Sequence, residues 1–112
     1  MKFGVRSTRP MTISDFRESL RNLDPPREIN PLLTALWHDG KGNWEKAHSI
    51  AQEIHTNHGS WIHAYLHRKE GDSGNAAYWY HMAGTSFPTM SLEKEWEELV
   101  KRFLVKEKVT SK

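Results

Sequence analysis

The segment at residues 91–108, SLEKEWEELVKRFLVKEK, constrains the fold of this chain most strongly. Its apolar residues recur with the three- and four-residue spacing of one helix face: Leu92, Trp96, Leu99, Val100, Phe103 and Leu104. Glutamates are concentrated in its first half and lysine and arginine in its second, which complements the helix dipole. The segment therefore predicts an amphipathic helix, capped by Ser91, that covers a hydrophobic core formed by the rest of the chain.

Five further segments carry the start and stop signals of helices. The predicted helices cover residues 13–23, 31–40, 44–54, 60–70 and 72–84, the last beginning at either Asp72 or Asn75. Their predicted N-terminal caps are Thr12, Asn30, Asn43 and Ser60. The stretch AAYWYHMA in the last of them is apolar nearly all round, which indicates a helix packed on several sides at the centre of the fold. No stretch alternates apolar and polar residues, so we predict an all-α protein of about six helices.

The chain length indicates a single domain, since 112 residues support one hydrophobic core but not two. We expect a flexible arm at residues 1–10, a helical domain at 11–108 and a flexible tail at 109–112. Five Trp, three Tyr and four Phe supply the bulky apolar surface of a folded core.

Several classes of function are disfavoured by composition. The absence of cysteine excludes disulfides, thiol nucleophiles and thiolate zinc sites, and fits a cytoplasmic protein. No apolar run has the roughly 20 residues of a membrane span, so we expect a soluble protein with no membrane partner. The net charge of +2 is interspersed by sign, without the basic stripe of a nucleic-acid binder, so we expect no nucleic-acid partner.

Two middle segments form a near repeat, HDGKGNWEKAHSIA at 38–51 and KEGDSGNAAYWYHMA at 69–83. Aligning Gly40 with Gly71 and Gly42 with Gly74 gives a period of about 31 to 32 residues, which is typical of helical repeats. Each unit is a helix, a glycine-containing turn and a capped helix. Because one such hairpin cannot bury its apolar face alone, we predict two stacked hairpins with the C-terminal amphipathic helix beside them.

Two resemblances follow from these segments. GNWEKA at residues 42–47, with the hairpin spacing, resembles the turn and second helix of tetratricopeptide repeats. The stretches LWHDGKGNWEKAHSIAQ and HAYLHRKEGDSGNAAYWY resemble an uncharacterised family of small bacterial and fungal helical proteins. The resemblance implies a helical fold and brings no activity, substrate or catalytic residue with it.

A histidine and carboxylate cluster is the strongest candidate for a reactive site. His63, His67 and Glu70 share one side of the predicted helix at 60–70, at a spacing that suits a divalent metal such as zinc. The alternatives are a solvated face, a polar pocket for a small molecule or peptide, or a structural role. In the structural role, His63 or His67 donates a hydrogen bond to a neighbouring helix while Arg68 pairs with Glu70 or Asp72. We favour the structural alternatives and therefore predict no cofactor, with zinc as the alternative.

Other side chains are weaker candidates. Asp72 joins the candidate catalytic set, although capping of the following helix also explains it. Arg68, Tyr78, Tyr80 and His81 are candidate binding residues, and His81 could approach His67 across the hairpin. His48, His55 and His58 also cluster in sequence, and a metal clip formed by His55 and His58 is a further alternative.

These observations support two hypotheses of different classes. The first is a tetratricopeptide-like interaction module without catalytic activity, which binds a protein or peptide partner or forms a homo-oligomer. The second is a metal-dependent or acid–base enzyme that uses His63, His67 and Glu70. The sequence leaves open whether the protein is an enzyme.

Overall fold

The computed structural model describes residues 10–110, and the side chains of residues 10–105. This part of the chain forms six α-helices and contains no strand, which confirms the predicted all-α class. The helices are α1 (Ile13–Ser19), α2 (Pro31–Gly40), α3 (Trp44–Gln52), α4 (Asn57–Lys69), α5 (Ser73–Ala83) and α6 (Leu92–Thr110). The predicted arm, apart from Pro10, and the last two residues of the predicted tail lie outside the described residues.

Three of the predicted helix starts are explained by the side chains that cap them. The Thr12 hydroxyl accepts a hydrogen bond from the Asp15 amide, and the Asp15 carboxylate accepts one from the Thr12 amide. The Asn30 side chain accepts from the Leu33 amide at 2.9 Å, directly before Pro31 at the start of α2. Asn43 caps α3 in the same way. These elements confirm the starts read from the sequence.

α1 ends at Ser19, so the predicted helix at 13–23 is too long. The Lys41 ammonium donates hydrogen bonds to the carbonyl oxygens of Leu20 and Asn22 at 2.8 and 2.7 Å. A side chain from the end of α2 therefore binds carbonyls that follow the last turn of α1. Leu23, predicted to lie on the apolar face, is 92% exposed.

α4 begins at Asn57, so the predicted helix start at residue 60, with Ser60 as the cap, is wrong. Thr56 is the cap, and its hydroxyl accepts a hydrogen bond from the Gly59 amide at 3.1 Å. Gly59 is required by close packing, since a Cβ atom there would lie 2.0 Å from the Ile54 carbonyl oxygen. This close approach places the start of α4 against the end of α3.

The α2–α3 and α4–α5 turns have the same hydrogen-bond pattern. Gly42 and Gly71 both adopt positive φ, at 86° and 90°, and the caps Asn43 and Asp72 follow them directly. The two turns therefore correspond at a shift of 29 residues, which pairs Gly42 with Gly71. The alignments of Gly40 with Gly71 and of Gly42 with Gly74 are both wrong, because Gly71 corresponds to Gly42 and Gly74 lies inside α5.

α4 is the centre of the fold, since it packs against α2, α3, α5 and α6. The main core is formed by side chains of α1, α2, α3, α4 and α6, including Phe16, Leu33, Leu36, Trp37, Ala51, Ile62, Leu66, Leu99 and Phe103. The prediction that α5 is central is wrong: α5 packs chiefly on α4, and only Ala76 and Tyr80 of α5 are buried. Because α5 packs chiefly on one helix, its large side chains Tyr78 and Met82 are 54% and 46% exposed.

Two buried carboxylates tie the helices together. Asp39 of α2 accepts hydrogen bonds from the Tyr65 hydroxyl at 2.8 Å and the Lys69 ammonium at 2.9 Å. Glu95 of α6 accepts from Tyr80, Trp61 and Arg68. Burial and the adjacent carboxylates raise the pKa of both Tyr65 and Tyr80 above the ordinary range. Both carboxylates are therefore satisfied in their buried positions.

None of the helices in the described part of the chain is both long and apolar enough to cross a lipid bilayer.

Candidate metal centre

Three histidines from two helices meet on one side of α4. His63 and His67 lie one turn apart on α4, and His48 reaches them from α3. His48 Nε2 and His63 Nε2 are 3.0 Å apart, and one ring nitrogen of each of the three histidines lies within 4.8 Å of the others. The ring centroids of His67 lie 5.1 Å from His48 and 4.9 Å from His63. The three imidazoles therefore converge on one small volume.

Two tryptophans shield this cluster from water. Trp44 stacks on His48 with centroids 4.8 Å apart, and its indole N–H donates to the Leu66 carbonyl at 2.8 Å. Trp79 of α5 stacks on His63 at 4.1 Å. His63 and His67 are only 7% and 8% exposed, so the solvated-face interpretation is wrong for these two residues. Stacking and burial together hold the rings in place.

A carboxylate orients the third imidazole. His67 Nδ1 lies 2.9 Å from Glu70 Oε2, and an ionised carboxylate only accepts hydrogen bonds, so Nδ1 carries the proton. The lone pair of a neutral His67 ring is then on Nε2. A carboxylate that binds the outer nitrogen of a histidine is the usual support of a metal-ligating imidazole.

The environment favours the neutral form of His48 and His63. Burial, followed by the nearby His48 and His67 rings, lowers the pKa of His63 to about 4. Burial also lowers the pKa of His48, and His67 adds to this effect while Glu70 partly opposes it. Neutral imidazole is the form that ligates metals, so these two rings are in the ligating state at neutral pH.

The donor set suits a late first-row divalent metal. Zinc binds imidazole nitrogen at about 2.0–2.1 Å, which places two tetrahedral ligand nitrogens about 3.3 Å apart. The 3.0 Å between His48 and His63 would have to widen slightly, and the third nitrogen would have to move inward by ring rotation. Three protein ligands leave a fourth position for water or another ligand, as in catalytic rather than structural zinc sites.

A second possible group of ligands shares His67. It consists of His67, Glu70 and Asp72, whose ligand atoms also lie within 4.8 Å of one another. Glu70 and Asp72 are exposed, and Asp72 accepts a hydrogen bond from the Asn75 amide as the cap of α5. Because its two carboxylates are solvated and its aspartate has a structural role, the three-histidine group is the stronger metal candidate.

A cleft of about 270 Å³ adjoins the centre. His63 and Trp79 line it, and the stacked pair therefore belongs to both the histidine cluster and the cleft. The remaining lining comes from the end of α3, the start of α4 and Met82 of α5: Ala51, Gln52, Ile54, His55, Thr56, Asn57 and Ser60.

The predicted binding residues divide into two sets. Arg68 pairs with Glu95 at 2.7 Å, rather than with Glu70 or Asp72, and also donates to the Met90 carbonyl. Tyr80 is buried and donates to the same Glu95 carboxylate at 2.7 Å. Tyr78 and His81 lie instead on the exposed side of α5. Arg68 and Tyr80 thus join the helix-tying network, and neither contributes to the histidine cluster.

His81, His55 and His58 are not members of the two ligand groups found among the described residues. His55 is exposed at the rim of the cleft, and the His58 ring contacts Phe103 edge-on at 5.2 Å. The residue that the sequence-based set of ligands omitted is His48. The sequence feature that could have identified His48 is its position relative to the α3–α4 turn. His48 and His63 are fifteen positions apart on either side of that turn, so antiparallel packing of the two helices brings them together.

Comparison with known proteins gave no match: no family model fits the chain, and neither the curated proteins nor the solved structures contain a significant relative. The resemblances drawn from the sequence therefore stay predictions.

Proposed function

We propose that this protein binds a divalent transition metal, with zinc as the best match, through His48, His63 and His67. The observation that carries the proposal is the convergence of three imidazole nitrogens within 4.8 Å in a shielded site. Imidazole nitrogens suit zinc, copper, nickel and iron, and not the oxygen-preferring magnesium or calcium. The centre supplies a Lewis acid with one open position.

A purely structural role accounts for less of the arrangement. One hydrogen bond between His48 and His63 would link α3 to α4 without a third histidine. The third ring, His67, is held by Glu70 through Nδ1, which leaves Nε2 for another partner. Metal binding uses all three rings, and it also explains Glu70, whose carboxylate would orient His67 as a ligand through the hydrogen bond to Nδ1.

Zinc titration of the metal-free chain in competition with a chromophoric chelator tests the proposal. We expect one equivalent to bind, and removal of any ligand to lower the affinity more than the roughly 10- to 100-fold typical of outer-shell changes. The variants are His48→Asn, His63→Asn and His67→Asn, and the matched control is His81→Asn, at an exposed histidine outside the cluster. Circular dichroism of each variant establishes that it is folded.

Unchanged zinc affinity in His67→Asn and His63→Asn, with both variants folded, would contradict the proposal. Equal loss of affinity in His81→Asn would also contradict it, because that result would place the metal elsewhere.

A second candidate function is favoured by the outer face of α5. Tyr78 and Met82 lie one turn apart on this face, and both of these large side chains are about half exposed. We propose that this face binds an apolar helix of a protein partner, in keeping with an interaction module. A photo-crosslinking residue placed at Met82 should capture one partner in cells, whereas the same residue at exposed Ser49 of α3 should not. Identical products from both positions would contradict this function.

A further inference from the structure

The cleft beside the histidine cluster has apolar walls and no formal charge. Ala51, Ile54, Trp79 and Met82 supply the apolar walls, and among the described residues no aspartate, glutamate, lysine or arginine lines it. Trp79 and Met82 are polarisable side chains that adapt well to small apolar groups. The cleft is therefore suited to an uncharged, mainly apolar part of a ligand.

The charge of the proposed centre specifies the other part of that ligand. Three neutral imidazoles and a divalent cation carry a net charge of +2, and Glu70 lies outside the ligand set on the far nitrogen of His67. Because the cleft offers no compensating acidic side chain, an anionic donor in the fourth coordination position is favoured electrostatically. His63 is common to the centre and the cleft, so one small molecule could reach both.

The volume limits the size of such a molecule. The cleft volume of about 270 Å³ equals the liquid volume of about nine water molecules, which corresponds to a ligand of roughly ten non-hydrogen atoms. A short-chain or aromatic carboxylate has this size and combines an anionic donor with an apolar body.

We propose that the fourth position of the metal opens into this cleft, and that the site binds small carboxylates whose apolar group lies against Trp79 and Met82. This inference rests on the proposed metal binding. The carboxylate oxygen takes the open coordination position, and the hydrocarbon replaces water in the cleft. Affinity should then depend on the apolar group as well as on the charge.

The test uses the full chain loaded with Co²⁺, whose visible absorption bands report its ligands. Acetate, butyrate, hexanoate and benzoate are titrated in turn. We expect each to perturb the bands, with affinity rising by about fourfold per buried methylene and levelling off once the cleft is full.

Met82→Ala and Tyr78→Ala provide matched variants on α5. Met82→Ala should reduce the gain in affinity from acetate to hexanoate, because Met82 lines the cleft. Tyr78→Ala should keep the parent's gain from acetate to hexanoate, because Tyr78 does not line the cleft and meets Trp79 only edge-on, with ring centroids 5.1 Å apart. Both side chains are about half exposed, so neither substitution removes a buried contact of the core.

The outcomes separate the two proposals. Co²⁺ that binds through the histidines but responds equally to acetate and hexanoate would overturn the cleft proposal and leave metal binding intact. Co²⁺ bands that no carboxylate alters would also overturn it, because the fourth position would then be closed. Absence of histidine-dependent Co²⁺ bands before any carboxylate is added would overturn both.

Discussion

His48 Nε2 and His63 Nε2 lie 3.0 Å apart, although the residues belong to different helices and are separated by fifteen positions. The short turn between α3 and α4 lies midway between them, so antiparallel packing brings the two rings together. The distance between these nitrogens therefore depends on how closely α4 approaches the end of α3.

Gly59 sets that approach, and Gly59→Ala should disturb it. The added Cβ would lie 2.0 Å from the Ile54 carbonyl oxygen, and a backbone atom cannot move aside without opening the turn. We expect the free energy of unfolding to fall by about 1–3 kcal/mol, as in overpacked cores, and zinc affinity to fall with it. Urea unfolding and zinc titration measure the two effects.

Gly74→Ala is the matched control for this prediction. Gly74 also lies in the first turns of a helix, but nothing would lie within 4 Å of its Cβ. We expect a stability gain of up to about 1 kcal/mol and no change in zinc affinity. A larger loss in Gly74→Ala than in Gly59→Ala would contradict this explanation of the turn.

Glu70 supports a ligand without being one, and Glu70→Gln tests that role. The neutral amide would retain a hydrogen bond to His67 Nδ1 but lose the negative charge that strengthens the imidazole as a donor. We expect zinc affinity to fall by roughly 10- to 100-fold while the stoichiometry stays at one. Glu53→Gln is the control, because Glu53 occupies the equivalent C-terminal cap of α3. Equal effects of the two substitutions would refute a specific role for Glu70.

The metal-free protein should lose stability in mild acid. Burial gives His63 a folded-state pKa of about 4, below its ordinary value of 6.5. Between these values the unfolded chain binds more protons, so the stability contributed by His63 is complete above about pH 6.5 and falls as the pH drops toward 4. The loss approaches about 3 kcal/mol and is measured by urea unfolding at a series of pH values.

His63→Phe should remove much of that pH dependence. Phenylalanine keeps an aromatic ring against Trp79 but does not titrate. His81→Gln, at an exposed histidine, should retain the slope of the parent between pH 4 and 6.5. An unaltered slope in His63→Phe would show that another group causes the acid sensitivity.

Glu95 is predicted to stabilise the fold without affecting the metal. Glu95→Ala removes the partner of Arg68, whose side chain is only 18% exposed, and also leaves the Tyr80 hydroxyl without its acceptor. We expect a loss of about 3–5 kcal/mol, as for other broken buried ion pairs. Glu97→Ala on the same helix removes only partly exposed ion pairs to Arg17, Lys94 and Lys101, and should cost at most about 1 kcal/mol. Zinc affinity should be unchanged in both folded variants.

Local signals predicted most of the helices because local contacts determine them. The caps Thr12, Asn30 and Asn43 bind amides three residues ahead, and the apolar spacing of α6 matches its buried face. Asp72 and Gly84 likewise begin and end α5 as two of the sequence signals indicated. Interactions between residues that lie within about four positions of each other can therefore be predicted from the sequence.

The remaining features depend on contacts between distant segments. The Lys41 ammonium of a distant segment binds the Leu20 carbonyl directly after the end of α1. The burial of His63 and His67 depends on Trp44 and Trp79 of neighbouring helices. The exposure of α5 has the same origin, since apolar composition does not specify how many neighbours a helix has. His48 belongs to the centre because α3 packs beside α4, and this contact between helices is not visible in the sequence.

X-ray absorption at the zinc edge of the protein loaded with one equivalent of zinc tests the three-histidine centre most directly. We expect three imidazole ligands with zinc–nitrogen distances of about 2.0–2.1 Å and one further light-atom ligand, with the number of imidazoles falling to two in His48→Asn. A shell with two or fewer imidazoles in the parent protein, or a shell unchanged by His48→Asn, would contradict the three-histidine centre.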